Sequence, residues 1–159
     1  LGDSNEPGNA LALKEVELAT GAFKVQLQYL DVLNLKDLEN SFQSASKQRA
    51  GAVLVLTGPV ASGHRTELVN LAAKNRLPAM YFRSDFVEAG GLMTYGVNYN
   101  DLARRAATYV DKILKGAKPA DLPVERPTKF EFVINMKAAK ALGIMIPQSV
   151  LVQATRLIE

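Results

Sequence analysis

Arg83 and Asp85 stand two positions apart. A guanidinium beside a carboxylate is equipment for holding charged groups rather than for breaking bonds. Arg83 can meet a ligand carboxylate with two parallel N–H donors, a geometry lysine cannot copy, and Asp85 can receive an ammonium group. A solvated loop carrying an Arg–Asp surface pair accounts for the same residues. Asp3-Ser4-Asn5-Glu6 precedes a predicted helix, whose first backbone N–H groups and partial positive charge suit a carboxylate. Capping of that helix by Ser4 or Asn5 is the competing reading. Thr57-Gly58-Pro59 offers a hydroxyl and a glycine that permits close backbone approach, although Gly-Pro also simply makes a turn. Tyr95 can stack on an apolar ligand or serve as a core tyrosine. The candidate ligand-binding residues are therefore Ser4, Asn5, Thr57, Arg83, Asp85 and Tyr95.

Catalysis finds no comparable set. His64 is the lone histidine and reads as an exposed helix residue. No Ser/His/Asp spacing, no glycine-rich phosphate loop and no cofactor motif is recognisable. The carboxylate pairs Asp3/Glu6 and Glu15/Glu17 lack metal-loop spacing. The chain has no cysteine, which removes disulfides, zinc–thiolate sites and thiol chemistry together. A net charge of +3, with Lys and Arg scattered, makes no concentrated basic footprint for nucleic acid. No apolar run approaches the ~20 residues that cross a membrane. With 48% hydrophobic residues, the 159-residue chain has enough apolar matter for one ordinary core.

The elements that must position these residues alternate. Ala12, Val16, Ala19 and Phe23 recur at helical spacing, with Gly21 punctuating the end. Val25–Leu30 alternates apolar and polar residues as a half-exposed strand does. Leu35, Leu38, Phe42 and Ala45 mark a second helix capped by Asn34. Ala52–Leu56 is a continuous apolar run, as in a strand covered on both faces. Leu68, Leu71 and Ala72 lie on a third helix that Ser62 can cap, and Pro78–Phe82 is another short strand. Gly90-Gly91 then breaks the chain before a strand from Leu92 to Tyr95. A long helix follows, with Ala103, Ala106, Val110, Ile113 and Leu114 on one face and Gly116 at its end. Pro119 to Pro127 is a stiff connector. Phe130–Ile134 is a strand, Met136–Leu142 a short helix closed by Gly143, and Pro147 opens a last helix. This alternation predicts a parallel, doubly wound, Rossmann-like α/β sheet. In such sheets ligands sit beyond the carboxyl ends of the strands, where the candidate loops lie.

The run Phe86-Val-Glu-Ala-Gly-Gly-Leu-Met-Thr-Tyr-Gly resembles the closing segment of ABC transporter substrate-binding proteins with the type I periplasmic-binding-protein fold, of the tryptophan-receptor-like kind. So do Val110-Asp-Lys-Ile-Leu-Lys-Gly-Ala-Lys-Pro-Ala-Asp-Leu-Pro-Val-Glu and the stretch from Pro127 to Pro147. The resemblance covers nearly the whole chain and is strongest from Asp85 to Glu159. It implies a two-lobed receptor, of which this chain is the C-terminal portion. Residues 1–91 would belong to an incomplete second lobe, 92–127 to the hinge and a return into the first lobe, and 128–159 to the crossing back with C-terminal helices. It further implies a small organic solute, amino acids included, an ABC permease as partner, and a periplasmic or extracytoplasmic setting without a cofactor. No family ligand motif carries over residue by residue. A flavodoxin-like enzyme domain, or a regulatory sensor of the same fold, remains the alternative.

Leu1-Gly-Asp-Ser is not a natural start, so upstream sequence is expected to have been removed. The first helix of a doubly wound sheet follows its central first strand, and here that strand is absent or reduced to Leu1 and Gly2. An open inner edge invites pairing with another chain. The expectation is a gap filled by a neighbouring copy, a rearranged pairing or an upstream fragment. Association through that edge or through the long helix would make a homo-oligomer.

Overall fold

The computed structural model describes residues 1–159. α1 (Pro7–Phe23) starts on a proline, whose missing N–H costs nothing in a first turn. It runs through Gly21 and closes on Lys24, which adopts the left-handed conformation at φ 54°. The end is therefore set by Lys24 and not by the glycine. α2 (Leu35–Lys47) is nucleated as its sequence predicts. Asn34 accepts from the Lys36 and Asp37 amides while the Asp37 side chain returns to the Asn34 amide. That reciprocal pairing satisfies otherwise orphaned donors. Its buried stripe is Leu38, Ser41, Phe42 and Ala45.

β1 (Val53–Leu54) pairs in parallel with β2 (Ala79–Tyr81), and β2 with β3 (Met93–Val97). Between β1 and β2 the chain forms α3 (Pro59–Gly63) and α4 (Arg65–Lys74). Ser62 lies inside α3, so it does not cap the third predicted helix; His64 takes that position without a side-chain bond. α5 (Ser84–Glu88) joins β2 to β3. After α6 (Tyr99–Leu114) and the connector, β4 (Phe130–Asn135) returns antiparallel to β3. α7 (Met136–Leu142), closed by left-handed Gly143, and the four-residue α8 (Gln148–Leu151) lead to β5 (Arg156–Ile158), parallel to β4. The sheet order is β1-β2-β3-β4-β5. It is mostly parallel, with one antiparallel step.

Two expectations need correction. The chain does not end in helices, because β5 takes the outer edge. Val25–Leu30 forms no ladder either: past the bond from Val25 N to Thr20 O (3.0 Å) that closes α1, backbone bonds reach it only as Gly2 N to Leu30 O (3.1 Å) and, just beyond, Val32 N to Gly2 O (2.8 Å). The physical reason lies beside it. Leu1 and Gly2 occupy the slot between this segment and β1, since the Leu1 nitrogen donates to Leu54 O at 2.9 Å and Leu56 N donates to Leu1 O at 2.8 Å. Two residues can support only the single bridge Gly2–Asp31. Leu1 is thus buried between β1 and the Leu30–Val32 segment.

The larger core joins Leu38, Phe42, Val53, Val55, Leu68, Tyr81 and Phe86 beneath α2, α4 and α5. A smaller one gathers Leu92, Ile134, Ala139 and Ile146 where α7 covers β3 and β4. α1 buries only Asn9, and α6 only Asp101. Val110, Ile113 and Leu114 of α6 are exposed. α6 instead folds against its own connector, where Tyr109 donates to Pro123 O at 2.6 Å and Arg105 pairs with Glu125.

Candidate functional site

The carboxyl ends of the strands line up in space as Asp31, then Asp3–Asn5, then Thr57–Gly58, then Arg83. The first of these ends are sewn together by short polar bonds. Ser4 donates to the Asp31 carboxylate from its backbone N–H (2.9 Å) and from its hydroxyl (2.7 Å). The Asn5 amide donates to Asp3 at 2.8 Å. Neither residue caps α1; Glu6 precedes it without a side-chain bond.

Asn9, which sequence reasoning passed over, is the hub. Its side-chain amide donates to Asp3 O (2.9 Å) and Thr57 O (2.7 Å), and its carbonyl oxygen accepts from the Thr57 hydroxyl (3.2 Å). A polar residue at 3% exposure survives only because every bond is made. An asparagine on an otherwise unremarkable helix turn carries no local signal of this. Gly58 is needed for the same closeness, since a Cβ there would stand 3.2 Å from that of Asp3. Asn9→Ala would leave the Thr57 carbonyl unpaired, while Asp3 O keeps the Glu6 amide, and we expect it to cost about 2 kcal/mol. Urea unfolding checks this, and a loss below about 1 kcal/mol would mean that water replaces the side chain.

A second cluster gathers on Asp85. Its carboxylate accepts from Arg83 Nε at 3.1 Å, from a terminal nitrogen of Arg83, and from Arg65 Nη1 at 2.5 Å. Burial pushes the Asp85 carboxyl up, but the Arg83 hydrogen bond and the charges of both guanidiniums outweigh it and hold the carboxyl below its usual range. The bond to Asp85 correspondingly raises Arg83. The Arg83 guanidinium also lies 5.7 Å from the Phe82 ring and 5.8 Å from the Tyr99 ring. Arg65 and Tyr99 were not singled out in the sequence, and only the fold brings them to Asp85 and Arg83.

Tyr95 is not joined to either cluster. Its neighbour Thr94 points into the core and donates to Tyr81 O at 2.7 Å. The alternation of the strand sends Tyr95 to the opposite face, stacked on Phe130 at 6.0 Å and edge-on to Phe132 at 6.2 Å. There it is 58% exposed, so it is not a core tyrosine either. His64 stands between α3 and α4, 3.9 Å from the Glu67 carboxylate. No group of three His, Cys, Asp or Glu side chains is arranged to hold a metal ion, and no helix is long and apolar enough to cross a membrane.

The sequence matches the model of the family described as ABC transporter substrate binding protein over residues 3–158. Among curated proteins, a tyrosine-binding protein of Clostridioides difficile is 28% identical over 74 residues, which is 46% of this chain and 21% of that protein. Among solved structures, an ABC domain in complex with L-Trp from Streptococcus pneumoniae superposes with a TM-score of 0.87 at 26% identity, covering 99% of this chain and 55% of that one. A conserved domain protein of Vibrio cholerae gives a TM-score of 0.82 at 27% identity, covering 95% of this chain and 52% of the other. This chain therefore spans about half the length of the structures it matches.

Proposed function

We propose, from the premise that this chain belongs to the ABC transporter substrate-binding protein family, that it supplies one wall of a receptor for an amino acid or similar small organic solute. The observation that carries this reading is the row of paired polar clusters at adjacent strand ends: Ser4, Asn5 and Thr57 around Asn9, then Arg83 and Asp85. The likeness to a structure that holds L-Trp and covers 99% of this chain supports the amino-acid class.

On this reading the chain divides as the resemblance implies. Residues 1–91 form the wall, 92–127 reach into the other lobe, and 128–159 return. The two crossings run side by side, since Asn98 N donates to Lys129 O at 3.0 Å, and closely spaced crossings suit a hinge. The exposed apolar face of α6 and the backbone of Gln26–Tyr29, which has no backbone partner, are the surfaces for the other lobe or for a second copy. The setting is extracytoplasmic or periplasmic, with an ABC permease as the docking partner.

One wall covers less of a ligand than a closed cleft does, so binding is expected in the millimolar range. Titration of the isotopically labelled chain with L-Trp, L-Tyr and the other common amino acids should move the backbone amides of Ser4, Asn5, Thr57 and Arg83 in a saturable way. If those amides stay still for every amino acid at millimolar concentration, the reading fails.

A further inference from the structure

We propose that Arg65 and Arg83, gathered by Asp85, form an anion subsite that takes the carboxylate of the solute. Arg83 is the contacting residue and Arg65 a positioning and specificity-determining one. The inference rests on the reading that the strand ends face the solute.

Charge is the first reason. Two guanidiniums share one carboxylate, so the cluster keeps one uncompensated positive charge. No other acid bonds to either guanidinium, and Glu88 holds Arg156 at 2.7 Å. Donor count is the second. Arg83 spends Nε and one terminal nitrogen on Asp85, which leaves the other terminal nitrogen without a protein acceptor. Arg65 spends only Nη1, and its Nε is buried with no partner at all. Such an excess of donors is satisfied by an acceptor that the protein does not supply.

Geometry narrows the choice. The Phe82 and Tyr99 rings lie beside the Arg83 guanidinium and limit its motion, and the free edge of a guanidinium suits a planar, two-oxygen group. A single uncompensated charge matches a carboxylate better than a dianionic phosphate, and no glycine-rich backbone cradle accompanies it. Asp85 is then no acceptor for an ammonium group, because Arg83 and Arg65 already occupy its oxygens. Its task is to hold the guanidiniums together against their mutual repulsion.

The test compares 3-phenylpropionate with 3-phenylpropanamide, which share shape but not charge. Both are titrated into the labelled chain while the Arg side-chain Nε–H signals are followed. The acid should bind at least tenfold more tightly than the amide and move the Arg83 signal. Arg83→Gln should abolish the preference. Arg65→Gln should reduce it several-fold while Arg65→Lys restores most of it, and the exposed Lys14→Gln should change nothing. The dispersion of the backbone amides shows that each variant is folded. Equal binding of acid and amide, no response to either, or a preference that survives Arg83→Gln would each overturn the subsite. Amino-acid responses at Ser4 and Thr57 with the Arg83 side chain unmoved would remove the subsite and leave the receptor reading standing.

Discussion

Phe86→Ala is expected to destabilise the protein by about 4 kcal/mol, the cost of emptying a fully buried aromatic site. Phe86 has no exposed surface and stacks on Tyr81 with ring centres 5.0 Å apart and planes 11° from parallel. The Phe82 ring meets it at 5.1 Å. α5 spans only five residues, too few to hold together by its own hydrogen bonds. Burial of Phe86 and Val87 therefore keeps this turn in place, and the adjacent Asp85 with it. In a domain of this size the loss corresponds to a melting temperature lower by roughly 8–16 °C. Phe86→Leu, which refills most of the volume, should cost far less. A thermal or urea melt in which Phe86→Ala costs under about 1.5 kcal/mol would show that the aromatic stack does not anchor α5. Asp85 should also lose its grip on Arg83 in Phe86→Ala, visible as sharpening and drift of the Arg83 side-chain signal.

Gly96→Ala is expected to cost about 3 kcal/mol, the upper range for forcing extra atoms into a packed interior. A Cβ at this position would stand 2.4 Å from the carbonyl oxygen of Phe82 and 3.3 Å from its carbonyl carbon. The obstacle is backbone, so no side-chain rotation relieves it, and β3 must part from the end of β2. Phe82 immediately precedes Arg83, so the displacement reaches the arginine cluster directly. Gly8→Ala provides the contrast. It lies in α1 with nothing within 4 Å of the added atom, and it should be neutral or stabilising by about 0.5–1 kcal/mol, because the unfolded chain loses freedom. Equal effects from the two substitutions would refute the close approach at Gly96.

The backbone packs closely where β2, α5 and β3 meet, since an added Cβ would stand 2.5 Å from the Tyr81 ring at Gly91 and 2.4 Å from Phe82 O at Gly96, in the region that carries Arg83 and Asp85. By contrast, α1 and α6 bury almost nothing of their own.

Much of the local architecture was readable from residue types. Asn34 three residues ahead of Asp37, Gly116 after a long amphipathic run, and Gly143 after Met136–Leu142 are signals whose physics is complete within one turn of chain. The apolar runs at Ala52–Leu56 and Pro78–Phe82 located parallel strands, but the reading of Ala52–Leu56 as covered on both faces needs correction: Val53 and Val55 are buried while Leu54 between them is exposed, because α1 buries almost nothing on that side. The position of Ser4, Thr57, Arg83 and Asp85 at strand ends was likewise readable from the order of the elements.

What the tertiary structure alone decided depends on partners distant in the chain. Val25–Leu30 has the pattern of a strand, yet its ladder depends on Leu1 and Gly2, more than twenty residues away in sequence. Tyr95 looks suited to a ligand until β3 pairs with β4 and sets it against Phe132, whereas Tyr99, which drew no notice in the sequence, comes to Arg83. Asn9 reads as an ordinary helix residue until Asp3 and Thr57 arrive on either side of it, and Arg65 as a solvated one until α5 sets Asp85 beside it. Residue types and their spacing determined most of the elements, because caps, turns and periodicity are short-range effects, while the family followed from the likeness of whole runs of sequence. The pairing of strands determined which side chains meet at the strand ends, because a hydrogen bond across the sheet is chosen by register and leaves no mark on either partner's own sequence.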